Sequence, residues 1–192
     1  MYIFSFENMH KYTYICINIQ YMASIRGAFD VGKDGALVVF EGDTIIYKIV
    51  TPKIGDQIDL RKIKEILSTL DLKNIHIVIE DVHAIFGSSA KATFNFGWSL
   101  GILEGLLTMA QIPYTKVAPK DWQREMWQGV KPIYKPQKTE GQRKIVDTKA
   151  TSLLAAQRLF PTIDFRKSER ADKPHDGIVD AILMADYCRR KF

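Results

Sequence analysis

Apolar positions along this chain change their period several times, and each change marks a candidate element. Residues 22–30 and 35–41 are apolar runs joined by the Gly-rich turn Gly32-Lys33-Asp34-Gly35. After Gly42-Asp43, residues 44–50 alternate Ile and Tyr with polar positions, so the three runs predict an antiparallel meander. Leu60, Ile63, Ile66, Leu67 and Leu70 then recur at helical spacing behind Asp59, which predicts a helix over 59–70. Residues 75–80 are nearly all apolar, the mark of a strand covered on both faces in a parallel sheet. The longest helical pattern runs over 92–111, followed by a short strand at 114–117 and a helix entry at Pro119-Lys120-Asp121-Trp122. Residues 129–146 have no apolar period and predict a mobile loop. A helix resumes over 147–160, stopped by Pro161, and a last apolar helix follows from His175 to Tyr187.

Carboxylates at the ends of these elements bring in chemistry. The first strand ends at Asp30 and the buried strand at Glu80-Asp81, and in a sheet with parallel neighbours ligands gather at the carboxyl ends of strands. Asp30 alone is equally well read as the start of a hairpin turn. Together with Glu80 it invites a divalent cation such as Mg²⁺, which takes hard oxygen ligands. In the last helix Asp176 and Asp180 stand four residues apart and share a face. Two like charges on an apolar helix resist burial unless a cation or a strong donor compensates. The plainer reading makes Asp176 the helix cap and Asp180 a solvated residue.

Composition narrows the class of partner. A formal charge of +5 and a pI near 9.1 favour a polyanion. Lys131, Lys135, Lys138, Arg143 and Lys144 cluster in the polar loop around Tyr134, a pattern that tracks phosphates and stacks a base, or is simply solvated. Lys149, in the first turn of a helix, opposes the helix dipole and suggests a partner anion. The 192 residues, 46% of them hydrophobic, suit one domain over 23–192, with residues 1–22 read as a dispensable N-terminal extension. The two cysteines, Cys16 and Cys188, sit at opposite ends and argue for neither a disulfide scaffold nor a zinc site. No membrane span and no signal peptide is recognisable, so the expected compartment is the cytoplasm. Gly97, Gly101 and Gly105 line one face of the long helix beside Phe94 and Trp98. That face is read first as packing on the chain's own sheet and second as a subunit interface.

The sequence of elements (strand–Asp, meander, helix, strand–Glu, Gly-bearing long helix, short strand, helix, and a terminal helix with paired Asp) resembles the RuvC-type Holliday-junction resolvases of the RNase H-like superfamily. The resemblance spans about residues 22–190 and rests on Phe29-Asp30-Val31-Gly32, Val78-Ile79-Glu80-Asp81, Leu100-Gly101 with Gly105, Ala118-Pro119, Thr148-Lys149, and Asp176 with Asp180. It implies an α/β fold with a mixed five-stranded sheet, antiparallel meander plus parallel strands, flanked by helices. It also implies a homodimeric, Mg²⁺-dependent endonuclease that cuts branched DNA, with two ions about 4 Å apart and Mn²⁺ as a substitute. Asp30, Glu80, Asp176 and Asp180 would be the metal ligands, with Lys149 offsetting charge on the phosphate. Phe94, Gly97, Trp98, Gly101 and Gly105 would form the dimer interface.

This sequence departs from the bacterial pattern in three places. Bacterial members space the terminal acids by three, whereas here Gly177 occupies that position, a spacing similar to the mitochondrial and poxviral branch; His175 becomes an outside candidate ligand or proton carrier. The aromatic that probes the crossover falls on His83, with Phe86 three residues further on. A second basic residue expected soon after Pro119 is Lys120 or Arg124, and Lys91, just ahead of the long helix, joins the cations offered to DNA. Rival readings are a flap or RNA–DNA hybrid nuclease on the same scaffold, a non-catalytic nucleic-acid-binding relative, and an actin-like ATPase, for which the chain is too short to hold two copies of the fold.

Overall fold

The computed structural model describes residues 24–31, 34–55, 57–81, 89–137, 139, 141 and 143–192. The expectations for residues 1–22 and for His83, Phe86 and Lys138 lie outside them. The meander forms as β1 (Ile25–Asp30), β2 (Ala36–Glu41) and β3 (Thr44–Val50), with a small hairpin of β4 (Lys53–Ile54) and β5 (Gln57–Ile58) behind it. Helix α1 (Leu60–Leu67) starts where the Asp59 carboxylate accepts the Lys62 N–H at 3.1 Å. Then come β6 (Ile75–Glu80), α2 (Ala90–Met109), β7 (Tyr114–Val117), α3 (Pro119–Met126), α4 (Thr148–Leu159) and α5 (Asp176–Lys191).

The main sheet has five strands in the order β3-β2-β1-β6-β7, antiparallel across β1–β2 and β2–β3 and parallel across β1–β6 and β6–β7. This is the mixed α/β sheet expected from the sequence. Strand side chains alternate between faces, and the two sets bury into two separate cores. Ile25, Phe29, Leu37, Ile77 and Ile79 pack with α1 and α2 residues such as Ile63 and Leu107. Ala28, Val38, Phe40 and Val78 pack with Trp122, Ala156 and Ile182 from α3, α4 and α5. The same parity sends Asp30, two residues after Ala28, and Glu80, two after Val78, toward the α5 side. Because Phe29 pairs with Ile79, the two acids are neighbours across the β1–β6 seam.

Three expectations need correcting. Residues 129–146 are not structureless: two extended arms, 131–137 and 143–147, are joined by a Tyr134–Val146 bridge and by Lys135 N–H to Ile145 O at 2.9 Å. Their apolar side chains stay exposed, which is why no buried period is visible in the sequence. The glycine row of α2 does not pack on the sheet, since a Cβ added at Gly97, Gly101 or Gly105 would meet nothing within 4 Å. Leu103 and Leu107, on another face, make that contact. Finally, the cap of α5 is His175, not Asp176: its Nδ1 accepts the Ile178 N–H at 3.4 Å, which commits that ring nitrogen to the helix end. Among the described residues no helix is long and apolar enough to cross a membrane.

Candidate active site

Helix α5 crosses the β1 side of the sheet almost wholly buried, and its N-terminal turn ends beside the carboxyl ends of β1 and β6. Close approach there depends on Gly177. A Cβ at that position would lie 2.1 Å from the Asp34 carbonyl oxygen and 3.0 Å from Asp30 Oδ2. No carboxylate can therefore occupy the position three before Asp180, and the helix supplies its second acid one residue earlier, at Asp176. The unusual spacing thus has a steric cause.

Asp30, Glu80 and Asp180 are partly buried and Asp176 is exposed. Burial is the largest influence on Asp30, holding its pKa well above the usual carboxylate range, with Asp180, Glu80 and Asp176 adding repulsion and Lys149 opposing it. Asp180 is pushed up to about 7, again chiefly by burial; a hydrogen bond from Ser152 pulls the other way, Glu80 and Asp176 push up, and Lys149 pulls down. Glu80 is raised by burial and lowered in part by Trp122. The acids are close enough to act on one another, yet among the described residues no three His, Cys, Asp or Glu side chains make a ready-made metal cage. Lys149 pairs with Asp176 at the exposed mouth, and this contact raises the lysine's pKa.

Three supporting side chains were not legible in the sequence. Trp122, fully buried on α3, donates its Nε1–H to Glu80 Oε1 at 2.9 Å. Ser152, buried on α4, bonds Asp180 and accepts the Trp127 Nε1–H at 3.3 Å. Asp34, in the turn after β1, faces Lys149 and helps to raise its pKa. Trp122 had a weak signal, a tryptophan in a helix otherwise polar around it; Ser152 had none.

The remaining basic candidates lie on the surface. Arg124 is paired with Asp121 at 3.2 Å, and Lys91, Lys120, Lys131, Lys135, Arg143 and Lys144 are exposed. The cation that acts on Asp30 and Asp180 is Lys149. Phe94 and Trp98 are exposed beside the open glycine row, 6.0 Å apart between ring centroids.

No protein-family model matches the chain, and no curated protein matches it in sequence. Solved structures do match in fold. A structure of Thermus thermophilus RuvC in complex with Holliday junction substrate aligns with a TM-score of 0.56 at 11% identity, over 84% of this chain and 90% of that one. A second Thermus thermophilus RuvC structure aligns with a TM-score of 0.50 at 15% identity, over the same shares. The chain thus has the mixed-sheet α/β fold of these RuvC structures, as its order of strands, helices and acids foretold.

Proposed function

We propose that the chain is an intracellular, metal-dependent endonuclease that hydrolyses phosphodiester bonds at four-way (Holliday) DNA junctions. One observation carries the reading: Asp30, Glu80, Asp176 and Asp180 meet at the carboxyl ends of β1 and β6, where each raises or shares the charge of the others. A binding module has no use for carboxylates turned toward phosphates, whereas a hard divalent cation relieves their repulsion. The likeness in fold to RuvC in complex with junction substrate, and the net charge of +5, support DNA as the polyanion.

The donor set, all carboxylate oxygen, fits Mg²⁺ or Mn²⁺, with Asp30, Glu80, Asp176 and Asp180 as the holding residues. Such ions supply an activated water and stabilise the leaving oxygen. The chain's own residues do the rest. Trp122 fixes the orientation of Glu80, and Ser152, backed by Trp127, fixes Asp180. Lys149, released from Asp176, places a positive charge where negative charge builds on the phosphate. No covalent enzyme intermediate is required.

A homodimer completes the proposal, because clean resolution of a junction needs two equivalent sites related by a twofold axis. The uncovered face of α2, with Gly97, Gly101 and Gly105 beside exposed Phe94 and Trp98, supports it as the interface. The test is to incubate the protein with synthetic junctions, flaps and RNA–DNA hybrids side by side in Mg²⁺. Paired incision of the junction is expected. Preferential cutting of flaps or hybrids would move the assignment to another nuclease on this scaffold, and no cutting of any would leave a binding relative.

A further inference from the structure

The two arms 131–137 and 143–147 are built and anchored, yet they cover nothing. Their base is tied to α4, where the Asp147 N–H donates to Ile133 O at 2.7 Å and the Ile133 N–H to Thr151 Oγ1 at 3.0 Å. Thr151 is next in the chain to Ser152, which bonds Asp180, and two residues from Lys149. The arms therefore stand in a fixed relation to the acid cluster. On them Ile133, Tyr134 and Ile145 are exposed at 39%, 50% and 54%. Such a patch is worth leaving uncovered only if something else covers it.

Its surroundings specify the occupant. Lys135, Arg143 and Lys144 flank the patch, and Lys144 Nζ lies 6.0 Å from the Tyr134 ring centroid. An aromatic and two aliphatic side chains ringed by cations match the flat face of a nucleobase with phosphates on either side. A protein partner of ordinary composition would not call for this density of positive charge. Duplex DNA offers phosphates but keeps its base faces stacked, so the apolar part of the patch requires bases that have lost a neighbour.

We propose that this hairpin is the branch-sensing part of the DNA surface, with Tyr134 stacking on a base left unstacked at the branch point beside the acid cluster. The assignment rests on the nuclease reading given above and names how that site selects its substrate. The test uses full-length protein carrying Asp30→Asn, so that DNA is bound without being cut, in EDTA. Affinity is measured for a four-way junction and for a linear duplex of equal length, with Tyr134 intact or replaced by Ala, Phe or Trp. Tyr134→Ala should weaken junction binding about 5- to 150-fold, the range for one stacked base, and change duplex binding by less than about twofold. Tyr134→Phe and Tyr134→Trp should bind the junction as the parent does, which a loss of folding by the alanine variant could not mimic. Equal losses on junction and duplex, no loss on either, or failure of Phe and Trp to restore binding would overturn the proposal. Incision of the junction by the wild-type protein in Mg²⁺ is scored separately, so failure of the nuclease reading is distinguishable from failure of the hairpin's role.

Discussion

Helix α5 is 16 residues long and buries ten of them, whereas α2 is 20 residues long and buries two, Leu103 and Leu107. Both are apolar in sequence, and both lie against the same sheet. α5 is clamped between β1 and the layer formed by α3 and α4, and that enclosure is what can hold Asp180 near the Asp30–Glu80 seam against repulsion. α2 touches the other core along one edge and leaves Phe94, Trp98 and Met109 at 66%, 51% and 84% exposure. One helix spends its hydrophobicity inside the fold, and the other keeps it for a partner.

The sharpest way to break this contrast is the same substitution on each helix. Gly177→Ala puts a methyl into a space already filled by the Asp34 carbonyl, so it should destabilise by about 3 kcal/mol or more and cost cleavage as the acid cluster spreads. Gly101→Ala meets nothing, so under conditions that keep the protein monomeric it should stabilise by up to about 1 kcal/mol through helix propensity. Denaturant midpoints of the two variants check both signs. Gly101→Leu, by contrast, should separate subunits while each monomer stays folded, as sedimentation would register; wild type running as a monomer both free and on junction DNA rejects the dimer.

A comparable effect is expected from pH. Asp180 has a folded pKa of about 7, above its ordinary 3.8, so between those values the folded protein keeps a proton that the unfolded chain has lost. Stability contributed by this group is therefore present at acid pH and lost as pH rises through about 7, a change on the order of 3 kcal/mol. Asp30 and Glu80, raised as well, act with the same sign. Mg²⁺ should consequently raise the melting temperature more at pH 8 than at pH 5, and α2 variants should leave that difference untouched. A metal-free protein that gains stability from pH 5 to 8, with Asp180→Asn leaving the trend unchanged, would mean that the acids are not coupled as described.

A smaller effect should follow from Trp122→Phe, which keeps the ring but removes the donor to Glu80. Loss of one bond to a buried carboxylate costs about 1–3 kcal/mol. Because that bond holds the Glu80 pKa down, its removal should also shift the acid limb of the rate profile to higher pH. An unchanged profile would make Trp122 a packing residue only.

How much of this was readable beforehand depended on distance along the chain. The ends of β1 and β6, and hence Asp30 and Glu80, follow from local hydrophobic runs, and their shared face follows from strand parity. The pair Asp176 and Asp180 follows from helical spacing. Trp122 meets Glu80 across 42 residues, and Ser152 meets Asp180 only because α4 packs on α5, so neither contact has a local signature. The arms around Tyr134 pair over too few residues, with apolar groups exposed, for alternation to register. The glycine row was assigned first to the sheet because spacing reports which residues share a face but not what that face meets.

The central claim, that the acids beneath α5 are a metal-dependent cutting site for branched DNA, is tested most directly by comparing wild type with Asp30→Asn and Glu80→Gln on one four-way junction, each strand end-labelled in turn, in Mg²⁺. The expected result is paired, symmetry-related incision by wild type and loss of incision by at least about 1,000-fold in both variants, with junction affinity equal or higher because repulsion of phosphate is relieved. Variants that cut at the wild-type rate, or that lose cutting only in proportion to lost binding, would contradict it.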